Sequence, residues 1–407
     1  MARVARWLLP ALLLLGGVTL LGYYVFMQAA PTPTPTPLAV VPTEATSTPL
    51  PPTPSATMTA TQGATAAETA TVAPPSPTAT TTPLPEIPPT VPAEAFEISY
   101  EQRFGLTGFG EDVQASAHLN IPFASYADWN VRADPPRPGD VVFWQMIRLR
   151  EGRVHTPYED IDRALEASSG ATWLIGNEPD VVVQDNTTPQ RYAELYHELY
   201  THIKGRDPSA KVAIGGVSQP TPLRRAYLDI VLDTYEETYG QRMPIDVWNV
   251  HAFTLREEAG EWGIGIPPGM DDELAMLYEI EDHDNLEIFA QNIIDFREWM
   301  ARRGYADRPL LVSEYGFLMP FDFGYTPQDV ATFLQGSFEF LVTARNDTGF
   351  AQDGGRLVQW WLWFILSGPP GDEFSASYLY DRESGQLTAA GEAYREFVPA
   401  HRPDAEP

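Results

Sequence analysis

Eight apolar, β-rich segments alternate with helical patterns along most of the chain, and this alternation constrains the fold more than any other feature. Strands that alternate with helices pair in parallel through βαβ units. Eight such strands within residues 93–398 fit a (β/α)₈ TIM barrel. The segments are "FEISYEQRFGLTGFG", "LNIPFASYADW", "DVVFWQMIRL", "ATWLIGNEP", "KVAIGGVSQ", "IDVWNVHAF", "PLLVSEYGF" and "LVQWWLWFIL".

Thr-Pro pairs and glycines bound the intervening helical patterns. A threonine followed by proline favours a helix start, and glycine favours a helix end. The predicted starts are Thr156-Pro157, Thr188-Pro189 and Thr326-Pro327, and the predicted ends are Gly205, Gly240 and Gly304. Only "NVRADPPRPG" separates the second and third segments, which is too short and proline-rich for a regular crossover helix. An open doubly wound sheet is the alternative, although "FGLTGFGED" lacks its G-x-G-x-x-G phosphate loop.

The first 30 residues predict a membrane-directed segment. Arg3 and Arg6 precede an apolar run from Trp7 to Met27. About 20 apolar residues span a bilayer, and flanking arginines stay on the cytoplasmic side. Residues 1–30 are therefore expected to form a signal anchor in the cell membrane, with the C-terminal domain extracellular. Cleavage near "QAAP" is the alternative, and it would release a secreted protein.

A spacer is predicted to follow this segment. Residues 31–92 consist almost entirely of Pro, Thr, Ala and Ser and show no apolar periodicity, so they cannot bury a core. Alternating proline favours polyproline II, a semi-rigid stalk. The folded domain is placed at residues 93–398, and residues 399–407 form a tail.

Charge and cysteine content exclude several classes of function. The net charge of −29 leaves no basic face for nucleic acid, and it makes an anionic polysaccharide a poor substrate. The absence of cysteine excludes disulfides, cysteine-based zinc sites and thiol catalysis. The acidic residues do not follow the D-x-D-x-D-G spacing of a calcium loop. A neutral partner fits best, and no metal or cofactor is expected.

Two glutamates end apolar strands. Glu178 follows the fourth segment in "WLIGNEPD", and Glu314 lies at the end of the seventh in "PLLVSEYGF". The carboxyl ends of parallel barrel strands build the active site, so the two carboxylates are expected to face each other. Pro179 is expected to end the strand and to hold Glu178 in an extended backbone. Two carboxylates about 5 Å apart are the arrangement of a retaining glycosidase.

These motifs resemble the retaining β-glycosidases of glycoside hydrolase clan A. In that clan Asn-Glu follows the fourth strand and the nucleophile ends the seventh. The resemblance implies that Glu178 is the acid/base, that Glu314 is the nucleophile and that Asn177 bonds the sugar 2-hydroxyl. It also matches His251, in "VWNVHAF", to a histidine near the end of the sixth strand.

Within the clan, "NEPD" and "SYADWN" look most like the β-1,3-glucanase group that carries an N-E-P-D motif. The chain departs from that group at Asp128-Trp129, where Asn-Trp is usual. It also has Phe253 where a tyrosine is common after the histidine of the sixth strand.

Aromatic residues are candidates for stacking on sugar rings. The clan has an aromatic after the eighth strand, matched by a tryptophan of "VQWWLWF"; Trp363 lies nearest the strand end and is the choice, although core packing is an alternative. Trp129 is a second candidate.

Residues 254–287 are too long for an ordinary connection and should overhang the barrel mouth, bringing Trp262 and Tyr278 to the cleft. Tyr325 is expected to join them.

The sequence thus predicts a retaining glycoside hydrolase of the endo-β-glucanase or mannanase type, acting on β-linked neutral glycans. One alternative is a non-catalytic carbohydrate-binding barrel displayed on the cell surface. A second is a structural surface protein, for which the two glutamates would lie far apart or in salt bridges. Oligomeric state is left open.

Overall fold

The computed structural model describes residues 87–90 and 97–402. The predicted anchor at residues 1–30 and nearly all of the predicted linker lie outside the described residues. Ile87, within the range assigned to the linker, is partly buried against the hydrophobic core. No helix of the described residues is both long enough and apolar enough to cross a membrane.

All eight predicted strands are present. The third is interrupted at Trp144 and therefore has two parts. The strands are β1 (Phe104–Thr107), β2 (Ser125–Ala127), β3 (Val142–Phe143 and Gln145–Ile147), β4 (Thr172–Asn177), β5 (Lys211–Gly216), β6 (Trp248–His251), β7 (Leu310–Gly316) and β8 (Trp360–Phe364).

The strands pair in parallel in sequence order and close into a ring. β1 pairs with β2 and β8, β2 pairs with β3, and β4 pairs with β3 and β5. β7 pairs with β6 and β8, while two isolated parallel bridges, Ala213 to Val247 and Val217 to Val250, join β5 to β6. This is the α/β arrangement of a TIM barrel, in which the carboxyl ends of all strands lie on one face.

Helices surround the ring. They are α1 (Gly110–Ala115), α2 (Tyr158–Ala167), α3 (Pro189–Arg206), α4 (Pro222–Tyr239), α5 (Leu286–Arg302), α6 (Pro327–Thr343) and α7 (Ala389–Ala400). Short two-stranded pieces lie outside the ring at Leu149–Arg150 with Arg153–Val154 and at Tyr380–Asp381 with Gln386–Leu387, and a further strand spans Arg345–Phe350. No helix lies in the described stretch between β2 and β3, as the short proline-rich connection predicted.

The predicted helix boundaries hold in part. Thr326 caps α6 with a reciprocal capping box to Asp329, and Gly240 ends α4 in the left-handed conformation. Gly205 lies inside α3, which continues to Arg206. The prediction for Thr156 is wrong, because Pro157 is the N-cap of α2. The Thr156 hydroxyl instead accepts the Arg148 backbone N–H at 2.9 Å.

Aromatic side chains fill the layer between barrel and helices. Trp248 of β6 packs edge-on against Trp299 of α5, with ring centroids 5.2 Å apart. Because side chains alternate along a strand, the neighbours Asn249 and His251 point to the opposite face, into the barrel. His251 thereby reaches the lumen side at the end of β6.

Candidate active site

Three buried titratable side chains meet at the carboxyl ends of β4, β6 and β7. They are Glu178, His251 and Glu314, and one ligand-type atom from each lies within 4.8 Å of the others. The exposed fraction is 8 % for Glu178, 4 % for Glu314 and 0 % for His251. The sequence prediction that the two glutamates face each other is confirmed by this geometry.

Glu178 adopts a left-handed backbone at the end of β4. Its φ is +47°, and its N–H donates to the Gly216 carbonyl of β5 at 3.0 Å. The expectation of an extended backbone before Pro179 is therefore wrong. Non-glycine residues at positive φ are uncommon and cluster at functional sites, because the strain is held by the surrounding structure. Here the turn lifts the carboxylate off the strand and into the barrel mouth.

A β-bulge aims Glu314. On β7, Val312 pairs with Val250 of β6, but the next pair joins Glu314 to His251, so two residues of β7 stand against one of β6. The register with β8 shifts at the same place. A bulge re-aims the side chain that follows it. The extra residue, Ser313, is what brings Glu314 to the lumen beside His251.

His251 lies beneath the two carboxylates and connects them. Its Nδ1 is 3.0 Å from Glu178 Oε1, and its Nε2 is 3.7 Å from Glu314 Oε1. The ring fits because position 216 is glycine: a Cβ there would lie 2.5 Å from His251 Cδ2. His251 is not among the residues that line the cavity, so its predicted substrate contact is wrong. At these distances its two ring nitrogens contact both carboxylates, as a positioning residue would.

Burial and mutual charge perturb this cluster. Burial, with the Glu178 carboxylate adding to it, raises the pKa of Glu314 to about 7, against the opposing effects of His251 and of a Trp129 hydrogen bond. Burial opposes protonation of His251, but the carboxylates of Glu314 and Glu178 outweigh it and raise the pKa of the imidazole. Glu314 and His251 are coupled, because the charge of each one shifts the pKa of the other. At neutral pH the cluster therefore retains a proton.

Asn177, the last residue of β4, lines the cavity beside Glu178. Its backbone N–H donates to Asp185 Oδ2 at 2.7 Å, and Asp185 is itself paired with Arg148 at 2.8 Å. Among the described residues no group bonds the buried Oδ1 of Asn177. An unpaired buried acceptor costs free energy, so it marks a place for a donor such as a sugar hydroxyl. This is the position that the resemblance assigned to 2-hydroxyl binding.

Trp129 holds Glu314 rather than standing apart as a platform. Its Nε1–H donates to Glu314 Oε1 at 2.7 Å, and its φ of +60° turns the indole toward the site. The ring also lines the cavity, so contact with a substrate remains open to it. Its partner at the end of β8 is Phe364, with ring centroids 6.0 Å apart.

The predicted sugar contacts of Trp363 and Tyr325 are wrong. Trp363 is fully buried between barrel and helices, where it packs on Tyr315 and donates to the Ser377 carbonyl at 2.8 Å. Phe364, one residue further along β8, points the other way and lines the cavity. Tyr325 packs on Phe317, donates to the Ile280 carbonyl at 2.5 Å and does not line the cavity.

The cavity above the cluster has a volume of about 350 Å³. Two loops supply most of its walls: residues 181–184 after Glu178, and residues 258–266 after β6, which include Trp262. The prediction that the long segment after β6 overhangs the mouth is confirmed. Tyr278 of that segment is instead buried and bonded to Asn292 of α5.

Sequence reasoning missed Arg148 and the run Val181–Val183, all of which line the cavity. Arg148 directly follows β3, so its place at a strand end was a signal that could have found it. The valines directly follow the Asn-Glu-Pro-Asp motif, and three consecutive apolar residues in a loop were a second signal.

Glu178, His251 and Glu314 also present a donor set that a divalent cation could use. In this arrangement their atoms already bond one another and Trp129. The chemistry that the geometry itself supports is paired acid/base and nucleophilic work by two carboxylates at a barrel mouth.

The fold and site are those of an α/β barrel with paired strand-end glutamates, and solved structures share the fold. No protein-family model and no curated protein matches the chain. A GH128 (subgroup III) curdlan-specific exo-β-1,3-glucanase from Blastomyces gilchristii, solved in complex with glucose, is 17% identical with a TM-score of 0.50. The match covers 74% of this chain and 100% of that chain. At this identity the likeness shows the fold.

Two further glucanase structures are similar at a lower TM-score. A GH128 (subgroup I) endo-β-1,3-glucanase from Amycolatopsis mediterranei is 19% identical, covering 72% of this chain and 99% of that chain, with a TM-score of 0.48. A GH128 (subgroup II) endo-β-1,3-glucanase from Pseudomonas viridiflava is 18% identical, covering 72% of this chain and 97% of that chain, also with a TM-score of 0.48.

Proposed function

We propose that the protein is a retaining β-glycosidase that hydrolyses neutral β-linked glycans with Glu178 and Glu314. The observation that carries the proposal is the separation of the two carboxylates, which have oxygens within 4.8 Å of each other. Retaining enzymes hold their carboxyl groups about 5–5.5 Å apart, whereas inverting enzymes need about 6.5–9.5 Å to admit a water. The separation observed here fits the retaining arrangement and lies below the inverting range.

The reaction runs in two displacements. Glu314 attacks the anomeric carbon while the bond to the leaving oxygen breaks, and Glu178 gives its proton to that oxygen. Water then attacks the same carbon, Glu178 takes a proton from it, and the ester to Glu314 breaks. Both carboxylates return to their starting states, and the anomeric configuration is retained.

The surroundings of each glutamate suit its role. Glu314 must be ionised to attack. Burial raises its pKa to about 7, and the Trp129 N–H and the positive charge of His251 oppose that rise and favour the charged form. Glu178 must hold a proton, and His251 Nδ1 at 3.0 Å is placed to exchange one with it.

A β-glucan is the substrate to test first. A solved structure with the same fold is a curdlan-specific exo-β-1,3-glucanase, so the β-1,3 linkage comes first among the substrates to be tested. The free Oδ1 of Asn177 suits a hydroxyl donor, and the net negative charge of the chain favours a neutral polymer.

The test is hydrolysis of β-1,3-glucans, β-1,4-glucans, mannans and xylans by the full-length protein, beside Glu178→Ala and Glu314→Ala. Glu237→Ala, at an exposed helical glutamate, is the matched control. Turnover is expected to fall by at least about 10³-fold in both site variants, and NMR should show the β-anomer as the first product. Glycan binding without turnover in all four proteins would leave a carbohydrate-binding barrel.

We also propose that residues 1–30 hold this domain at a cell membrane and that residues 31–92 space it from the surface. The supporting features are the apolar run behind Arg3 and Arg6 and the proline-threonine composition. Membrane fractionation of the whole chain, beside a chain lacking residues 1–30, tests the anchor. Full-length protein recovered in the soluble fraction without loss of those residues would contradict it.

A further inference from the structure

The cavity wall next to Glu178 is apolar. The chain turns immediately after Glu178, with the Val181 N–H donating to the Glu178 carbonyl at 3.0 Å, and then presents Val181, Val182 and Val183 to the cavity. Val182 is 55 % exposed and Val183 is 39 % exposed. Exposed aliphatic side chains lose little by being covered and gain when an apolar ligand removes them from water.

The loop after β6 forms a second apolar wall of the same cavity. Trp262, Ile264 and Ile266 line the same cavity. Glu258 and Glu261 are the acidic members of this wall, and Glu258 is already paired with Arg256 at 2.6 Å. Such a wall disfavours an anionic group and offers few neutral hydrogen-bonding groups.

One buried arginine fixes both walls. Arg224, fully buried in α4, pairs with Glu257 at 3.0 Å and with Asp180 at 3.3 Å. It also donates to the carbonyls of Asp180 at 2.9 Å and Gly265 at 2.6 Å. Asp180 precedes the valines, and Gly265 lies between the two isoleucines. Both wall loops are therefore held by the same residue, Arg224. We expect the cavity to be formed before a ligand binds.

The position of these walls relative to Glu178 decides which part of the substrate they contact. A general acid must lie within hydrogen-bond reach of the leaving oxygen, so the leaving group departs on the Glu178 side. Among the polar residues of the cavity, Asn177 ends β4, Arg148 directly follows β3 and Trp129 lies in the loop after β2. The valines continue the Glu178 loop. The valines therefore border the side on which the leaving group departs. The polar side chains at the end of this loop already bond each other, because Arg148 Nη2 donates to Gln184 Oε1 at 3.1 Å.

We propose that the leaving-group subsite binds an apolar aglycone, so that alkyl or aryl β-glycosides are substrates. This inference rests on the proposed function and adds the substrate class on the leaving-group side. Each buried methylene contributes to binding through the apolar area that it removes from water. A longer alkyl aglycone should therefore raise kcat/KM although the reacting bond is unchanged.

The experiment compares n-hexyl and methyl β-glucosides, with β-mannoside and β-xyloside pairs run alongside, using the full-length protein. Both leaving groups are simple alcohols of similar acidity, so intrinsic reactivity cancels in the ratio of kcat/KM. We expect hexyl to exceed methyl by at least about tenfold. Val182→Asn and Ile264→Asn should each lower this ratio at least about threefold. Val142→Asn is the matched control, because Val142 is also 55 % exposed but does not line the cavity.

The outcomes separate the two proposals. Equal kcat/KM for hexyl and methyl glycosides, or turnover of glycans with neither alkyl glycoside cleaved, overturns the apolar subsite and leaves the glycosidase standing. A hexyl preference that survives both wall variants also overturns it, because the preference would arise elsewhere. No turnover of any glycan or glycoside overturns the proposed function, and the subsite inference falls with it.

Discussion

The indole N–H of Trp129 donates a 2.7 Å hydrogen bond to Oε1 of Glu314, linking the loop after β2 to the bulge of β7 across the barrel mouth. Both groups are buried, so water does not compete for the bond. A donor to a carboxylate favours the charged form and lowers its pKa. This bond therefore works against the burial that raises the pKa of Glu314 to about 7.

Trp129→Phe should shift the acid limb of the pH profile upward. Removing the donor raises the pKa of Glu314, so the nucleophile is protonated at a higher pH. A hydrogen bond to a charged group contributes about 1.5–3 kcal/mol, and about 1.4 kcal/mol corresponds to one pKa unit, so the pKa should rise by about one to two units. The measurement is kcat/KM from pH 5 to 9, with Trp262→Phe as the control. An unmoved acid limb would show that the bond does not tune Glu314.

Glu314→Gln should stabilise the fold at alkaline pH. The pKa of Glu314 rises from its usual 4.5 to about 7 on folding. A group whose pKa is raised in the folded state favours folding below the unfolded value, and that contribution is lost as pH rises through the folded value. The variant's advantage in unfolding free energy should grow between pH 4.5 and 7 to about 3 kcal/mol. Urea unfolding at pH 4.5 and 8, with Glu237→Gln as control, measures it; equal advantages at the two pH values would contradict the shift.

The sequence predicted the barrel and the glutamate pair because both depend on local signals. Apolar periodicity marks each of the eight strands. A charged residue at the end of an apolar strand can be recognised from that segment alone, without knowing which strand pairs with it. Parallel pairing then brings Glu178 and Glu314 to one face, whatever the details of packing. The position of the long loop after β6 followed from its length alone.

The remaining details depend on register and on tertiary packing. Side chains alternate along β8, but the sequence does not show which of the two alternating sets faces the lumen. The sequence therefore predicts Trp363 at the cavity, whereas the structure places Phe364 there. The bulge at Ser313 is fixed by pairing with two neighbours, and nothing in "LLVSEYG" marks it. The left-handed backbone of Glu178 likewise depends on its bond to Gly216, a residue far along the chain.

Gly216→Ala should impair catalysis through His251. The added Cβ would lie 2.5 Å from His251 Cδ2 and 2.7 Å from Nε2, so the ring must move away from the carboxylates. We expect kcat to fall at least about tenfold, because the proton partner of Glu178 is displaced. Gly205→Ala is the control, since a Cβ there meets nothing within 4 Å. Unchanged kcat in a folded Gly216→Ala protein would show that His251 has no part in catalysis.

Chelation should leave activity unchanged. His251 Nδ1 bonds Glu178, and Trp129 bonds Glu314. In the proposed mechanism Glu178 transfers protons and Glu314 attacks the sugar, and neither carboxylate binds a metal. Glycan turnover before and after dialysis against EDTA should agree within about twofold, a margin well below the effect of losing a catalytic metal. Loss of activity that added zinc or manganese restores would instead assign the three side chains to a metal.

Asn177→Ala should cost transition-state binding only when the sugar carries a 2-hydroxyl. The buried Oδ1 has no partner among the described residues and lies beside Glu178 in the cavity wall. Bonds to the 2-hydroxyl strengthen in the transition state of retaining enzymes, so the variant should lose about 10²-fold in kcat with ordinary substrate. With a 2-deoxy glycoside the wild type has already lost the bond, and the variant should then match it within about threefold. A double-mutant comparison of enzyme and substrate measures this coupling. Equal losses on both substrates would show that Asn177 has a structural role. It would then position Glu178, its neighbour in the chain, and would not bind the sugar.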